Sequence, residues 1–504
     1  MHVQIHRRRL LQASAIMSLG NGLGPGALAI TPLDPRAMEV RPEAVSLRPE
    51  IEPVVRWIEE TPREKIIEVA IGHLKAGLAY RELMAGLFLA GIRNIKPRPV
   101  GFKFHAVMVI HSAHLLGQAA AVDERLLPML WALDTFKASQ ATDVKEGDWA
   151  LGPVDEARLP KAWNAKNAFH EAMEKWDAEA ADAAIVAYGR THGAADVMES
   201  FWKFAIRDQR NIGHKAIFAA QCWRTLQAIG WQNSEPVLRS LAFALLDRQG
   251  AAGTDVVGPY TENQEVVRKF PEHWQVGTGG NGKSAESLIE GLRQVPPKDA
   301  GAAMAEFVKA GSSPQAIWDV ILKASNELLL RKPGIVSLHA VTSINALHYI
   351  FTAAGDDHSR KLAMAQAAGW VTLFRQALGD APALDINKLE AMDLPKKPDE
   401  AIADIFTTVG KNRTEAARKT LGFLQNGGSH EAIFAAARRM IFHKGRDSHD
   451  YKFGAAAWEE SLLAGTPRNR ELLTAAMMGN LPASTTADSP LMIKAREAAH
   501  SLQG

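Results

Sequence analysis

The stretch "RPVGFKFHAVMVIHSAH" (residues 98–114) returns in altered form as "KPGIVSLHAVTSINALH" (residues 332–348). Both contain His-Ala-Val, and the two histidines of that triplet, His105 and His339, lie 234 positions apart. Apolar residues in both stretches recur at the three- and four-residue spacing of a helix. The pair therefore predicts two equivalent helices, each with a histidine near its start.

A second pair of segments repeats at almost the same distance. "GHKAIFAAQCW" (residues 213–223) matches "SHDYKFGAAAW" (residues 448–458), and His214 and His449 lie 235 positions apart. Two separate segments with nearly the same offset are the signature of an internal repeat. They predict a tandem duplication of the chain.

The repeated units are predicted to be helical throughout. Runs such as "ELMAGLFLAGIRNI" and "AIWDVILKASNELLL" are apolar at helical spacing, and the Asn-Gly and Gly-Gly turns that join strands are scarce. We expect half one over residues 61–247, a crossover over residues 248–296 and half two over residues 297–504. The predicted fold is all-α, a tandem-duplicated helical bundle or repeat with pseudo-twofold symmetry around a central site.

The crossover contains a sequence typical of nucleotide binding. In "GTGGNGKS" (residues 277–284), Gly277, Gly282, Lys283 and Ser284 follow the spacing of a phosphate-binding P-loop. Such a loop lies between a buried parallel strand and a helix. The preceding "RKFPEHWQV" has a proline and several charges, which makes a poor buried strand. We therefore expect a loop that leads into a helix capped by Ser284, and no bound nucleotide.

The composition narrows the function classes. The 504 residues include 58 Lys and Arg and 56 Asp and Glu, for a net charge of +2, so nothing points to a nucleic-acid partner. The single cysteine, Cys222, excludes an internal disulfide and a thiolate cluster. A metal site in this chain would have to use histidine, carboxylates or a modified lysine.

The N-terminus is typical of an export signal. Arg7, Arg8 and Arg9 precede a moderately apolar stretch that ends in a triplet of the small-x-small type at residues 27–29. We interpret residues 1–30 as a twin-arginine signal peptide, which predicts passage through the twin-arginine translocase to the periplasm or another extracytoplasmic location. A basic, amphipathic cytoplasmic start is the alternative. Because the twin-arginine route carries folded proteins, often with a cofactor in place, it favours a metal or redox centre.

A proline-rich segment follows the signal. Five prolines stand between residues 31 and 53. They predict an extended tether over residues 31–60, because proline breaks helices and favours extended backbone. The folded body should then begin near Thr61.

Four histidines form the candidate metal site. His105, His214, His339 and His449 each stand at the start of an alanine-rich helical run, after a polar or proline-containing loop. A pseudo-twofold arrangement of the halves would bring these helix starts to one axis, where their imidazoles could hold iron, zinc, copper or nickel. The alternative is that each histidine caps its helix or bonds to the preceding loop, and that the duplication copied this contact.

Helical spacing indicates which residues near the four histidines lie on the same face of the helix. His114 and His348 come nine residues after the histidines of the His-Ala-Val triplets and point to the opposite side of their helices, so we expect them to pack or to give supporting contacts. Lys452 follows His449 by three residues and shares its face. A free ammonium cannot bind a cation, but a lysine carbamylated by carbon dioxide presents an anionic oxygen that can. The alternative is a surface lysine.

The motifs "FHAVMVI" around His105, "LHAVTSINAL" around His339 and "HDYKF" at residues 449–453 resemble those of the questin oxidase-like proteins. The resemblance extends in short motifs through most of residues 63–481. It implies an all-helical fold and a non-haem iron held by histidines and a carboxylated lysine, in a family whose fungal members oxidatively open an anthraquinone ring. Carried across by motif, it implies the following iron ligands: His105, His214, His339, His449 and Lys452.

The combined prediction is a metal-dependent oxygenase. We expect iron (Fe2+ or Fe3+) as cofactor, dioxygen and an aromatic or quinone-like small molecule as partners, and an oxidation that can extend to carbon–carbon cleavage. Two alternatives stay open: a zinc-type metal hydrolase that uses the same imidazoles to activate water, and a non-catalytic periplasmic α-helical repeat protein that binds a ligand. A bare repeat scaffold would leave the four histidines scattered.

Overall fold

Helices supply all the regular structure of residues 43–248, 256–277 and 285–502, the part of the chain described by a computed structural model. No strand occurs within these ranges, which confirms the all-α class. The α-helices are, in chain order, α1 Glu52–Glu60, α2 Ile66–Lys75, α3 Tyr80–Asn94, α4 His105–Met108, α5 Ile110–Gln118, α6 Leu127–Lys145, α7 Ala165–Glu174, α8 Ala178–Thr191, α9 Ala194–Ala205, α10 His214–Ile229, α11 Ser234–Leu245, α12 Tyr260–Val267, α13 Leu288–Gln294, α14 Pro297–Lys309, α15 Pro314–Arg331, α16 Ile335–Ala353, α17 Asp357–Leu378, α18 Pro398–Thr408, α19 Arg413–Gln425, α20 His430–Lys444, α21 Ser448–Leu463, α22 Pro467–Ala476 and α23 Pro490–His500.

Helices of both predicted halves belong to one unit, Val40–Gly504. α10 packs against α16, α16 packs against α21, and α21 also packs against α5. The core therefore runs between helices of half one and helices of half two. The tandem duplication and its pseudo-twofold axis remain predictions.

Buried aromatic pairs fix the helices that border this shared core. Phe104 meets Phe218 edge to face with ring centroids 4.7 Å apart, which ties the turn before α4 to α10. Trp131 of α6 stacks on Tyr451 of α21 at 4.3 Å. Aromatic rings bury large areas and add geometric preference to the contact. These pairs hold the first turns of α4, α10 and α21, where three of the candidate histidines lie.

The predicted tether (residues 31–60) is wrong over its last part, which is α1. Pro53 lies in the first turn of this helix, where its missing N–H is not needed. The buried guanidinium of Arg93 donates to Glu52 and to Glu59, each at 2.7 Å, and so anchors α1 to α3. The prolines favoured an extended tether in the sequence-based prediction. The pairing with Arg93 that holds α1 is long-range, so it leaves no local pattern in the sequence.

The crossover (residues 248–296) is partly helical. It contains α12 and α13, which pack on α14 and α17. Most of its P-loop-like sequence, residues 278–284, lies outside the described residues, and so does the predicted signal peptide at residues 1–30. The described residues just before Gly277 form turns and no strand.

One described helix, α16, has the length and composition of a membrane span. Its most apolar window has a mean hydropathy of 1.2, and 78% of that window is buried inside the protein. Core helices share these properties. The apolar character of α16 follows from its position between α10, α15, α17 and α21.

Candidate metal centre

Four histidine side chains converge in the shared core. One ring nitrogen of each of His105, His214, His339 and His449 lies within 4.8 Å of the other three. His105 and His214 are the first residues of α4 and α10, and His449 is the second residue of α21. His339 differs from the prediction, because it lies inside α16, one turn after the helix begins. The structure brings the four together as a group that could hold a metal ion.

Backbone carbonyls fix the tautomer of three of these rings. A carbonyl oxygen only accepts hydrogen bonds, so an Nδ1 that faces one carries the proton, and the Nε2 of the same ring keeps a free lone pair. Their Nε2 atoms are therefore in the form that binds a cation. The three bonds are His105 Nδ1 to Phe102 O at 2.7 Å, His214 Nδ1 to Asn211 O at 2.6 Å and His339 Nδ1 to Ile335 O at 2.7 Å.

Asp447 orients the fourth ring with a carboxylate. Its Oδ1 accepts from His449 Nδ1 at 2.5 Å and from the backbone N–H of His449 at 2.8 Å. The hydrogen bond from His449 holds the pKa of the Asp447 carboxyl well below its usual range, so Asp447 is anionic. A carboxylate in this position fixes the tautomer and the orientation of the ring. Sequence reasoning missed Asp447, although an acid at a helix start, two residues before a candidate ligand, is a usable signal.

The Nε2 atoms face one another at short range. His214 Nε2 lies 3.0 Å from His339 Nε2 and 3.1 Å from His105 Nε2. Because the protons sit on Nδ1, no hydrogen is available between these nitrogens, and their lone pairs repel. The Nε2 of His449 is buried without a hydrogen-bond partner among the described residues. A central cation fits this arrangement, since two imidazoles bound at right angles through bonds of about 2.1 Å have nitrogens about 3.0 Å apart.

Burial keeps three rings of the cluster uncharged. Desolvation lowers the pKa of His105, His214 and His339 well below the usual range, and the positive charge of Lys452 lowers these pKa values further. Neutral imidazole is the form that binds metals. A donor set of imidazoles without thiolate suits iron, zinc, copper or nickel.

Lys452 is buried, which excludes the alternative of a surface lysine. The residue is 3% exposed, and its Nζ has no hydrogen-bond partner among the described residues. Burial lowers the pKa of Lys452 to about 7, so much of the amine is unprotonated at neutral pH. Lys452 lies in α21, three residues after His449. An unpaired, unprotonated amine in a core is both rare and reactive.

Two of the carbonyls that hold the rings come from residues in a left-handed backbone conformation. Phe102 has a φ of 47° and Asn211 a φ of 60°, and Ile212 follows with a φ of 51°. Each such conformation costs a non-glycine residue about 1–3 kcal/mol, and these conformations collect at functional sites. Here they aim the carbonyls of Phe102 and Asn211 at the histidine three residues later.

A cavity of about 1130 Å³ borders the cluster, and all four histidines line it. Much of the remaining wall is apolar, with buried Val100 and Trp131 beside Ile212. Two further lining residues, Phe102 and Ile335, are 74% and 54% exposed, so the cavity is open to solvent. Its volume lies slightly above the usual range of small-molecule sites, which suits a ligand with several rings.

His114 and His348 lie outside the four-histidine group. His114 Nδ1 is 3.2 Å from the Tyr80 hydroxyl. His348 stacks on Trp318 with ring centroids 4.6 Å apart. Both histidines therefore have partners of their own.

His348 belongs to a buried polar network across α10, α16 and α21. Its Nδ1 is 2.9 Å from Glu460, and Asn345 donates to Glu460 at 2.6 Å and to Glu459 at 3.2 Å. Glu459 in turn accepts from Arg224 at 2.7 Å. No local pattern in the sequence indicates this network, since its members come from three separate helices.

No family model, no curated protein and no solved structure matches this chain. The resemblance to the questin oxidase-like proteins stays a prediction from the short motifs around His105, His339 and His449. The geometry itself establishes a buried four-histidine cluster that could hold a metal ion.

Proposed function

We propose that this protein is a non-haem iron oxygenase that oxidises an aromatic or quinone-like small molecule, with carbon–carbon cleavage within its reach. The observation that carries the proposal is the convergence of four imidazoles, with Nε2 free, on the wall of a large and mostly apolar cavity. The motif resemblance to questin oxidase-like proteins supports iron over zinc. Bound iron would supply one-electron chemistry and the activation of dioxygen.

The four histidines would hold the ion through Nε2. The backbone and Asp447 already fix the rings through Nδ1, so little ordering is needed when the ion binds. Four neutral imidazoles leave the charge of the ion uncompensated. An anionic fifth ligand would reduce that charge, and Lys452 is the buried residue that can become one.

The Lys452 amine can add to carbon dioxide. A bond forms between Nζ and the carbon, one C–O π bond yields its electron pair to oxygen, and a proton leaves nitrogen for solvent. The product is a carbamate with one negative charge, which an ion held by the four histidines would stabilise. A pKa of about 7 makes the nucleophilic amine available at neutral pH.

The cavity wall would orient the substrate and exclude water. Trp131 and the apolar side chains of Val100 and Ile212 border the same space as the histidines. Burial of aromatic area against them favours binding by about 25 cal/mol per Å² of apolar surface. An aromatic ring system would therefore lie next to the cluster without a specific hydrogen bond.

Elemental analysis of the purified full chain tests this function. The wild type should carry about one iron per chain and consume oxygen with a hydroxyanthraquinone, and His339→Ala should lose both the iron and the oxygen uptake. His358→Ala changes an exposed histidine outside the cluster and should keep both. Zinc at about one per chain without oxygen uptake would favour a metal hydrolase. A folded protein that stays metal-free in a metal-replete preparation would favour a ligand-binding scaffold.

The role of Lys452 has a test of its own. Carbon NMR of the metal-loaded protein in 13C-bicarbonate should show a carbamate resonance, and Lys452→Met should remove it. A wild-type spectrum without that resonance would remove the modified lysine from the ligand set and leave the four histidines in place.

We also propose that the protein is exported in the folded state through the twin-arginine translocase and works in the periplasm. The arginines and the small-residue triplet of residues 1–30 support this route. Export after folding suits a protein that must acquire its metal first.

A further inference from the structure

The cavity beside the cluster is lined by charged side chains that are unevenly paired. Two of the lining carboxylates are engaged. Asp134 accepts from Arg63 at 2.9 Å and 2.7 Å, and Asp447 accepts from His449. The lining cations are Arg63, Arg446 and Lys494, and the lining carboxylates are Glu64, Asp134 and Asp447. Two cations, those of Arg446 and Lys494, therefore share the cavity with a single unengaged carboxylate, that of Glu64.

Arg446 has a fixed backbone and an unengaged side chain. Its backbone N–H donates to Asp450 Oδ2 at 3.0 Å, and the N–H of Asp447 donates to the same oxygen at 3.3 Å. The guanidinium makes no hydrogen bond or ion pair with any residue that the structure describes. Arg446 precedes His449 by three residues and lines the same cavity, so a group bound to it lies near the cluster.

Lys494 reaches the cavity from α23. Its Nζ donates to the backbone carbonyl of Glu64 at 2.8 Å, which holds the ammonium in place without neutralising its charge. A second cavity of about 430 Å³ shares Lys494 and Ile67 with the first. The ammonium of Lys494 therefore lies between the two cavities.

We propose that the cavity takes an aromatic substrate that carries an anionic group of the carboxylate type, held by Arg446 and Lys494 while the ring system lies against the apolar wall. The identity of the reacting ring rests on the proposed function, but the anion site rests on the charges alone. A guanidinium presents two N–H groups that match a carboxylate, and an ammonium adds a point charge. Neutral imidazoles also leave the charge of a bound ion to attract an anion.

Calorimetric titration of the metal-loaded full chain with anthraquinone-2-carboxylate and with its neutral amide tests the proposal. The carboxylate should bind about tenfold more tightly at low salt, because charge-assisted hydrogen bonds are stronger than neutral ones. This preference should shrink as salt screens the exposed cations. Arg446→Gln and Lys494→Gln should each reduce it by about threefold, and the double variant should abolish it.

Two controls separate a lost site from lost structure. Both residues are exposed, so the variants should keep the wild-type melting temperature and metal content. Lys411→Gln removes an exposed lysine that does not line the cavity, and it should keep the full preference for the carboxylate.

The outcomes distinguish this proposal from the proposed function. Equal binding of acid and amide by the wild type overturns the anion site. An unchanged preference for the carboxylate in the double variant also overturns it, because the carboxylate would then bind the metal ion. If the variants lose the preference for the carboxylate but the wild type holds no iron and takes up no oxygen, the anion site stands and the oxygenase proposal is overturned. The oxygenase stands and the anion site is overturned by a third combination of results. In it, the protein takes up oxygen with neutral ring compounds, binds acid and amide equally tightly, and shows no effect of the double variant.

Discussion

The carboxylate of Asp447 holds the ring of His449 through a hydrogen bond of 2.5 Å, whereas backbone carbonyls hold the other three rings of the cluster. His449 is therefore the member of the cluster whose orientation depends on a side chain. The same Asp447 oxygen accepts from the backbone N–H of His449. One carboxylate thus anchors both the ring and the start of α21.

Asp447→Asn should weaken metal binding without abolishing it. The variant keeps an oxygen acceptor but loses the negative charge that the Nδ1–H of His449 faces, so we expect metal affinity to fall about 10- to 100-fold. Competition with a chromogenic chelator measures this change. Glu64→Gln removes another carboxylate of the same cavity that makes no bond to the cluster, and its affinity should stay within about twofold of wild type. An equal loss in both variants would replace the positioning role with a general effect of charge.

Gly101→Ala should disturb the cluster through His214. Gly101 has a φ of +125°, and a Cβ added there would lie 3.2 Å from the His214 ring. We expect about 1–3 kcal/mol of lost stability and less than one metal per chain, measured by thermal unfolding and elemental analysis. Gly72→Ala, in α2 with no atom within 4 Å of the added carbon, should stabilise the protein by about 0.5–1 kcal/mol. Full metal content in Gly101→Ala would show that the ring tolerates the added carbon.

Lys137 should make stability depend on pH. Its Nζ donates to the carbonyls of Ile58 and Glu59 at the end of α1, and burial lowers the pKa of Lys137 to about 8. The unfolded lysine keeps its proton to about pH 10.5, so between about pH 8 and pH 10.5 the unfolded chain binds more protons and the free energy of unfolding rises with pH.

Urea denaturation at about pH 7.5 and pH 9.5 measures this rise. Lys137→Met should remove about 1 kcal/mol of it. Lys145→Met, in the exposed last turn of the same helix, should keep the wild-type dependence. Parallel pH profiles for wild type and Lys137→Met would contradict the prediction.

Arg224→Met should destabilise the protein far more than removal of the whole ion pair. Arg224 donates to Glu459 at 2.7 Å, and burial raises the pKa of that carboxyl. Loss of the cation alone leaves a buried carboxylate poorly compensated, at a cost of about 3 kcal/mol. The double variant Arg224→Met with Glu459→Met should recover most of this loss in guanidinium denaturation. Additive effects of the two substitutions would mean that the pair does not couple α10 to α21.

Lysine at positions 7 to 9 should block export. Arg7→Lys, Arg8→Lys and Arg9→Lys together keep the charge but remove the arginines that the translocase recognises. Fractionation of a host that has this translocase should find the wild type in the periplasm and the triple variant in the cytoplasm, with equal metal content. If the triple variant were found in the periplasm, the protein would use another export route.

Local patterns in the sequence were enough to predict the helical class and the four histidines. Helical periodicity and the repeated His-Ala-Val triplets are visible within short windows. The course of the chain at α1 was missed because it depends on Arg93, some forty residues away. The depth of His339 inside α16 was missed because its match to His105, which begins α4, predicted the same position in both helices. Contacts between distant helices, such as those of Glu459, have no local pattern to find.

The distance of 3.0 Å between the Nε2 atoms of His214 and His339 bears on which ion the cluster would take. The packing of α10 against α16 sets this distance without an ion. Any ion that binds imidazoles would therefore relieve the repulsion between the two nitrogen lone pairs. Copper and zinc bind such nitrogens more tightly than ferrous iron does wherever all three are free. On the proposed function, the compartment in which the chain folds would therefore select the metal. For a chain that folds before export, that compartment is the cytoplasm.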